Sequence, residues 1–431
     1  MISQDNLQGI LALSEKLKGR SGASIVLAAL GLAGVLLGFV AGPARAGWTA
    51  LYVATAMFIG LAMFGAILSA IFELTGAKWG RAYRRFAEAS VALMPLGLLG
   101  LLIVLAGAGH FVPWLHDPHE LEGHKAMWLS RGFWSLRLLV AVLIAYGLGL
   151  SYVYASIRRD FCVEGVRERF KGKLAGFLGR GITDAKAEAE RLSRRLAALA
   201  PVVAIGYAVT FSLVGFDFVM ALDPHWFSTL FGVWYFFSHM FTGLALLAVV
   251  AMVLRQRVGL ERWLTSTRQR DIATLLLAFT LLNVDFFWSQ YLTIWYGHLP
   301  EETEYIIPRV MDQHLPWHNF AYPALLCFFF IPLTALIFRK VKQTVALLLP
   351  IALVPVLGIF LARFLEIAPP LLDIKPGYAA GEIVRPVIAS LLVWLGFAGL
   401  GWQLYRRFLS TVPILPVGDD IFARIDREHH D

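Results

Sequence analysis

The stretch FDFVMALDPHWFSTLFGVWYFFSH, residues 216–239, sets two aspartates and two histidines among residues that are otherwise apolar or aromatic. A charged side chain at the centre of a membrane helix costs on the order of 2.5–3.5 kcal/mol on insertion scales, so such groups turn towards a bundle interior or a polar cavity. Asp217 and His239 therefore need partners. Between them, Asp223-Pro224-His225-Trp226 breaks the helix, because Pro224 cannot continue it and Asp223 is suited to cap the next one. The stretch reads as helix, tight surface turn, helix, with polar groups on both sides of the turn.

The rest of the chain has the same character. Of 431 residues, 58% are hydrophobic and 16% charged, and the mean hydropathy is +0.66. A soluble domain of this size does not need so much apolar surface, so the composition is that of an all-α polytopic membrane protein. Ten apolar segments of spanning length run over 23–41, 48–74, 90–111, 133–155, 198–220, 227–254, 271–297, 318–338, 344–364 and 386–406. The first is followed by Ala44-Arg45-Ala46, which fits a signal-peptidase site, but its apolar run is long for a signal peptide and it reads as a spanning helix. Cys162 and Cys327 are the two cysteines, and their spacing suits neither zinc nor an iron–sulfur cluster.

Basic residues set the topology. Of the 38 Lys and Arg, 30 lie in the N-terminal arm, in alternate loops and in the tail, and 5 lie in the opposite loops. Basic residues stay cytoplasmic, so both termini are expected there, in a bacterial inner membrane. The net charge of +8 is thereby a matter of topology and membrane lipid, and it implies no nucleic acid. The expected divisions are an amphipathic arm over 1–22, a first helix and loop over 23–47, a four-helix unit over 48–220, a second over 221–364, a periplasmic loop and tenth helix over 365–406, and a tail over 407–431. Residues 184–196 read as a short charged helix in the one large cytoplasmic loop.

Depth along each helix sorts the intramembrane polar residues. His110, Arg137, Asp217, Asp223 and His225 fall at similar depth near the periplasmic face. His239 lies roughly 20 Å below that face at 1.5 Å per residue. Asp285 is near the middle of helix seven, and Ser289 and Tyr296 continue its face towards the periplasm. Glu73 is at the cytoplasmic end of helix two. Glu73, His239, Asp285, Ser289 and Tyr296, with the periplasmic cluster, outline a broken proton route. Blander roles stand beside this one: Glu73 and His110 are close enough to an interface to snorkel, His239 could be an interhelical hydrogen-bond partner, and Arg137 could simply neutralise Asp217. The periplasmic loop 112–132 carries His116, Asp117, His119, Glu120, Glu122 and His124, a set better suited to docking an extrinsic subunit than to metal. Bis-histidine haem ligation by His110 and His239 fails on depth. There is no Gly-rich phosphate loop.

Two stretches, DPHWFSTLFGVWYF at 223–236 and WSQYLTIWYGHLPEETEYI at 288–306, resemble segments of the ActF-type subunits of bacterial alternative complex III, within the wider NrfD-like family. That resemblance implies two four-helix bundles plus two peripheral helices and no bound cofactor of its own. It further implies quinol or menaquinol as ligand, with haem c and iron–sulfur clusters only in partner subunits and an NrfD-like sister subunit alongside. Asp223, His225, Ser289, Gln290, Tyr296, Glu301 and Glu302 are the polar positions within the matching segments. The expected function is a quinol-interacting, proton-conducting subunit of a respiratory oxidoreductase, with the periplasmic cluster as proton acceptor. A secondary transporter and a passive assembly anchor are the alternatives.

Overall fold

The computed structural model describes residues 4–19, 21–116, 121 and 123–428, and every described element is helical. Much of the acidic, histidine-bearing loop, with Asp117, His119, Glu120 and Glu122, lies outside the described residues. Ten helices are long and apolar enough to cross a membrane: α1 Gly22–Phe39, α2 Arg45–Leu74, α3 Arg81–His110, α4 Arg131–Asp160, α5 Ala185–Leu222, α6 Thr229–Gly259, α7 Ser266–Gly297, α8 His318–Ile337, α9 Val345–Leu372 and α10 Ala380–Leu409. The chain is an all-α polytopic membrane protein. All ten segments expected from hydropathy are there, and the end that carries both termini is called the terminal end here, the opposite one the far end.

α2 is the axis of the assembly. Ninety-four per cent of its apolar window is buried, because its run of Ala, Gly, Ser and Thr lets neighbours approach on every side. α2 packs with α3, α4 and α5 as one group, and α6 to α9 pack as a second; the groups meet where α2 touches α6 and α9 and where α5 touches α6. α1 and α10 form a separate pair against α2. Gly31 and Gly396 meet backbone to backbone in that pair, and a Cβ on either would sit 2.5 Å from the other's Cα.

Several boundaries differ from the hydropathy expectation: charged residues extend α3 and α5, and α9 runs on through a proline pair. Residues 184–196 are not a separate element but the first turns of α5, capped by Asp184, whose carboxylate accepts the N–H groups of Lys186 and Ala187. α3 begins at Arg81 rather than 90. Its first turns carry Arg81, Arg84, Arg85 and Glu88, all buried, since together with Glu73, Asp160, Arg159 and Asp419 they make a charge-balanced lattice. α9 continues past 364 to Leu372, through Pro369 and Pro370, so Arg363 and Glu366 are helical and not at a loop. The tail docks onto this end: Ser14 of the arm helix Gln4–Glu15 donates to Val412 O and accepts from Ile414 N, both at 3.0 Å. The arm buries Leu7, Ile10 and Leu11 against the body.

Candidate functional site

The second group of helices encloses a charged cluster beneath an aromatic cavity. Arg363 of α9 is fully buried. It donates to Glu366 one turn on, to Ser238 Oγ of α6, and at 3.4 Å to the Tyr235 carbonyl. Its guanidinium carbon lies 4.4 Å from the Tyr235 ring centroid and 4.7 Å from that of Trp234, so aromatic faces cover the charge where hydrogen bonds do not. A buried guanidinium with a carboxylate three residues away forms a neutral pair that the helix itself pre-organises.

Glu366 also lines a cavity of ≈ 120 Å³ between α6, α7, α8 and α9, walled by Trp226, Trp234, Gln290, Tyr305 and Arg309 among others. An apolar cavity of about 150 Å³ is known to take up benzene, so this space is the size of one six-membered ring. Trp226 and Tyr305 stack at 3.7 Å and 11° on its rim. Arg309 lies over Tyr305 at 3.6 Å and reaches Asp223 at 3.5 Å. Burial raises the Tyr305 phenol above its usual range although Arg309 opposes it, so Tyr305 stays a neutral hydrogen-bond donor.

His239 sits below the cluster, 2% exposed, with Nε2 2.8 Å from the Ala56 carbonyl of α2. Tyr235 donates to the same carbonyl at 3.1 Å. The ring fits because α2 has Gly60 there, where a Cβ would fall 2.2 Å from the imidazole. His239 is thus an interhelical partner whose Nδ1 makes no hydrogen bond among the described residues.

The periplasmic cluster expected from depth is not one site. Arg137 clamps Asp217 with Nε–Oδ2 at 2.5 Å and Nη2–Oδ1 at 2.9 Å, and Trp128 donates to Oδ1 at 3.2 Å. Trp128 also lies 3.7 Å from the guanidinium, closing the pair off. Asp217 falls in a widened turn of α5, Gly215–Val219, whose loosened carbonyls take bonds from Trp134 at 2.7 Å and Tyr52 at 2.5 Å. His110 is exposed and stacks near Trp48, and His225 is exposed. Asp223 alone of the five adjoins the aromatic cavity, through Arg309.

The expected proton route is likewise not assembled. Glu73 is held by Arg81 at 2.8 Å and Arg84 at 2.9 Å in the terminal-end lattice. Asp285 and Tyr296 lie on the exposed face of α7, Tyr296 at 84%, and Ser289 is half-buried beside them, its backbone carbonyl accepting from the Thr293 hydroxyl. Sequence reasoning counted the midspan position of Asp285 but had no measure of which side of α7 faces the bundle.

Arg363, Glu366 and Arg309 were missed as site residues. The signal was present in the RFLE run at 363–366, two opposite charges at helical spacing inside an apolar stretch, but the following Pro-Pro made it read as a helix end. No protein-family model matches this chain, and no curated protein matches it.

Proposed function

We propose that this chain is the quinol-interacting membrane subunit of a respiratory quinol oxidoreductase in a bacterial cytoplasmic membrane, with the far end periplasmic. One observation carries the reading: both stretches that resemble the ActF-type, NrfD-like subunits contribute to the same cavity. Trp226 and Trp234 come from the first, Gln290 and Tyr305 from the second. Aromatic walls suit a planar ring, and Glu366, Gln290 and Arg309 are polar groups at its edge.

Oxidising a quinol releases two electrons and two protons, so the ring needs a proton acceptor and a wet exit. Glu366 would accept the two hydroxyl protons in turn, passing the first on before the second leaves the ring, with Arg363 holding the carboxylate in place. Asp223, 30% exposed beside Arg309, offers an outlet towards the far end. The electrons would pass to haem c and iron–sulfur subunits docked at that end, beside an NrfD-like sister subunit, since the reading gives this chain no redox centre of its own.

The experiment is purification of the tagged chain from its own membranes in mild detergent, with an optical spectrum and titration of a short-chain benzoquinone analogue against tryptophan fluorescence. Co-purifying c-type haem and quenching that is lost in Trp226→Ala would support the reading. A colourless, solitary protein without quinone affinity would overturn it in favour of a secondary transporter.

A further inference from the structure

Asp285 is a carboxylate on the outside of a membrane helix. It is about 18 Å from the Gly297 end of α7, counting 1.5 Å per residue, and so stands in the middle of the apolar length. It is exposed, and among the described residues it makes no hydrogen bond or ion pair. A short acidic side chain cannot reach an interface from that depth, and acyl chains offer it no donor.

The surface around it is concave. Asp285 lines a groove of ≈ 780 Å³ between α7 and α8, with Leu281, Trp288, Tyr291, Tyr322 and Phe329. A widened turn of α8, Leu326–Phe330, supplies Phe329 to it. α7 and α8 are among the least covered helices, with 28% and 22% of their apolar windows buried.

The charge identifies what covers the groove. A second copy of this chain does not fit, because the cations Arg137 and Arg363 within its own spans are already paired with Asp217 and Glu366. Two-fold packing on this face would also set Asp285 against its own copy. We propose that the α7–α8 groove docks a transmembrane helix of another subunit, which brings a Lys or Arg to Asp285. Trp288 and Tyr322, 52% and 62% exposed, line the same groove as the acid, and aromatic rings there would favour an incoming cation. The groove shares a wall with the cavity at Glu366, through Phe287, Tyr291, Val310, Ala321 and Leu325, but the pairing at Asp285 does not depend on quinol binding there.

The test is site-specific crosslinking in native membranes with benzoylphenylalanine in place of Leu282, on the exposed face of α7. The adduct should map to a spanning segment of a different chain that contains Lys or Arg. Asp285→Asn should lower recovery of that chain in affinity purification at least tenfold while the purified subunit keeps its own thermal midpoint. Asp285→Lys should abolish recovery, and reversal of the partner's cation to Asp should restore it. Adducts with lipid only, with a second copy, or with a segment lacking a basic residue would overturn the proposal, as would Asp285→Asn with undiminished recovery.

Discussion

The guanidinium of Arg309 donates from Nε to the carbonyl of Leu365 at 3.3 Å. That carbonyl is the one whose intrahelical partner would be the N–H of residue 369, and residue 369 is proline. A break in α9 is thus repaired from the segment that follows α7, and the repair fixes Arg309 beside Asp223, Tyr305 and the aromatic cavity. Arg309→Met should destabilise the protein by about 2 kcal/mol, the scale of a hydrogen bond to a charged group. Adding Pro369→Ala returns an N–H to Leu365 O, so the double variant should regain part of the loss. Thermal unfolding of the four proteins in detergent measures this cycle. Additive losses would show that the carbonyl is satisfied otherwise.

Glu366→Gln keeps the shape and the hydrogen bond from Arg363 but removes the proton acceptor. If Glu366 takes a proton from bound quinol, turnover should fall by about a hundredfold, the lower range for general acid–base catalysis, with little change in quinone affinity. Steady-state quinol oxidation by the purified complex, alongside fluorescence titration of the quinone analogue, separates these two effects. Parallel loss of affinity and turnover would make Glu366 a binding group.

Arg137 and Asp217 form a bidentate pair 10% and 3% exposed. Asp217→Asn leaves an unpaired guanidinium between α4 and α5 and should cost about 3–5 kcal/mol, the scale for breaking a buried pair. Replacing both, as Arg137→Met with Asp217→Leu, should recover most of that stability. Quinol oxidation per folded molecule should be unchanged in the double variant. A selective loss of turnover there would return the pair to the functional site.

These residues show where sequence stopped being informative. Spans are set by the free energy of burying long apolar runs, which adds along the chain, so all ten helices were legible. The sites depend on which charges meet across helices, and that is not a local property. Asp217 and Arg137 are 80 residues apart and were legible as a pair only because two opposite charges shared a depth. Glu366 and Arg363 were hidden by prolines that end most helices but not α9, where Arg309 supplies the missing donor. Asp285 was legible as a midspan acid but not as one on the exposed side of α7, since α7 carries polar residues on more than one face. The four arginines at the terminal end read as loop charges because their carboxylate partners lie as far away as Asp419.

Asp419 gives the last prediction. Burial alone would raise its carboxyl, but Arg84, Arg159 and Arg81, with the N–H of Phe422, outweigh burial and hold it well below the usual carboxylate range. Its folded pKa is therefore depressed relative to the unfolded chain. The stabilisation is complete above the unfolded value near 4 and is lost as pH falls towards the folded one. One proton per tail is involved, so protection of the docked segment should fall about tenfold per pH unit below about 4. Hydrogen exchange of residues 412–424, corrected for the intrinsic rate at each pH, measures this. Asp419→Asn should show low protection at neutral pH, and the remaining acid dependence should shrink. Equal protection in the variant and the parent at pH 7 would mean that Ser14 and the apolar contacts of the arm hold the tail without the arginines.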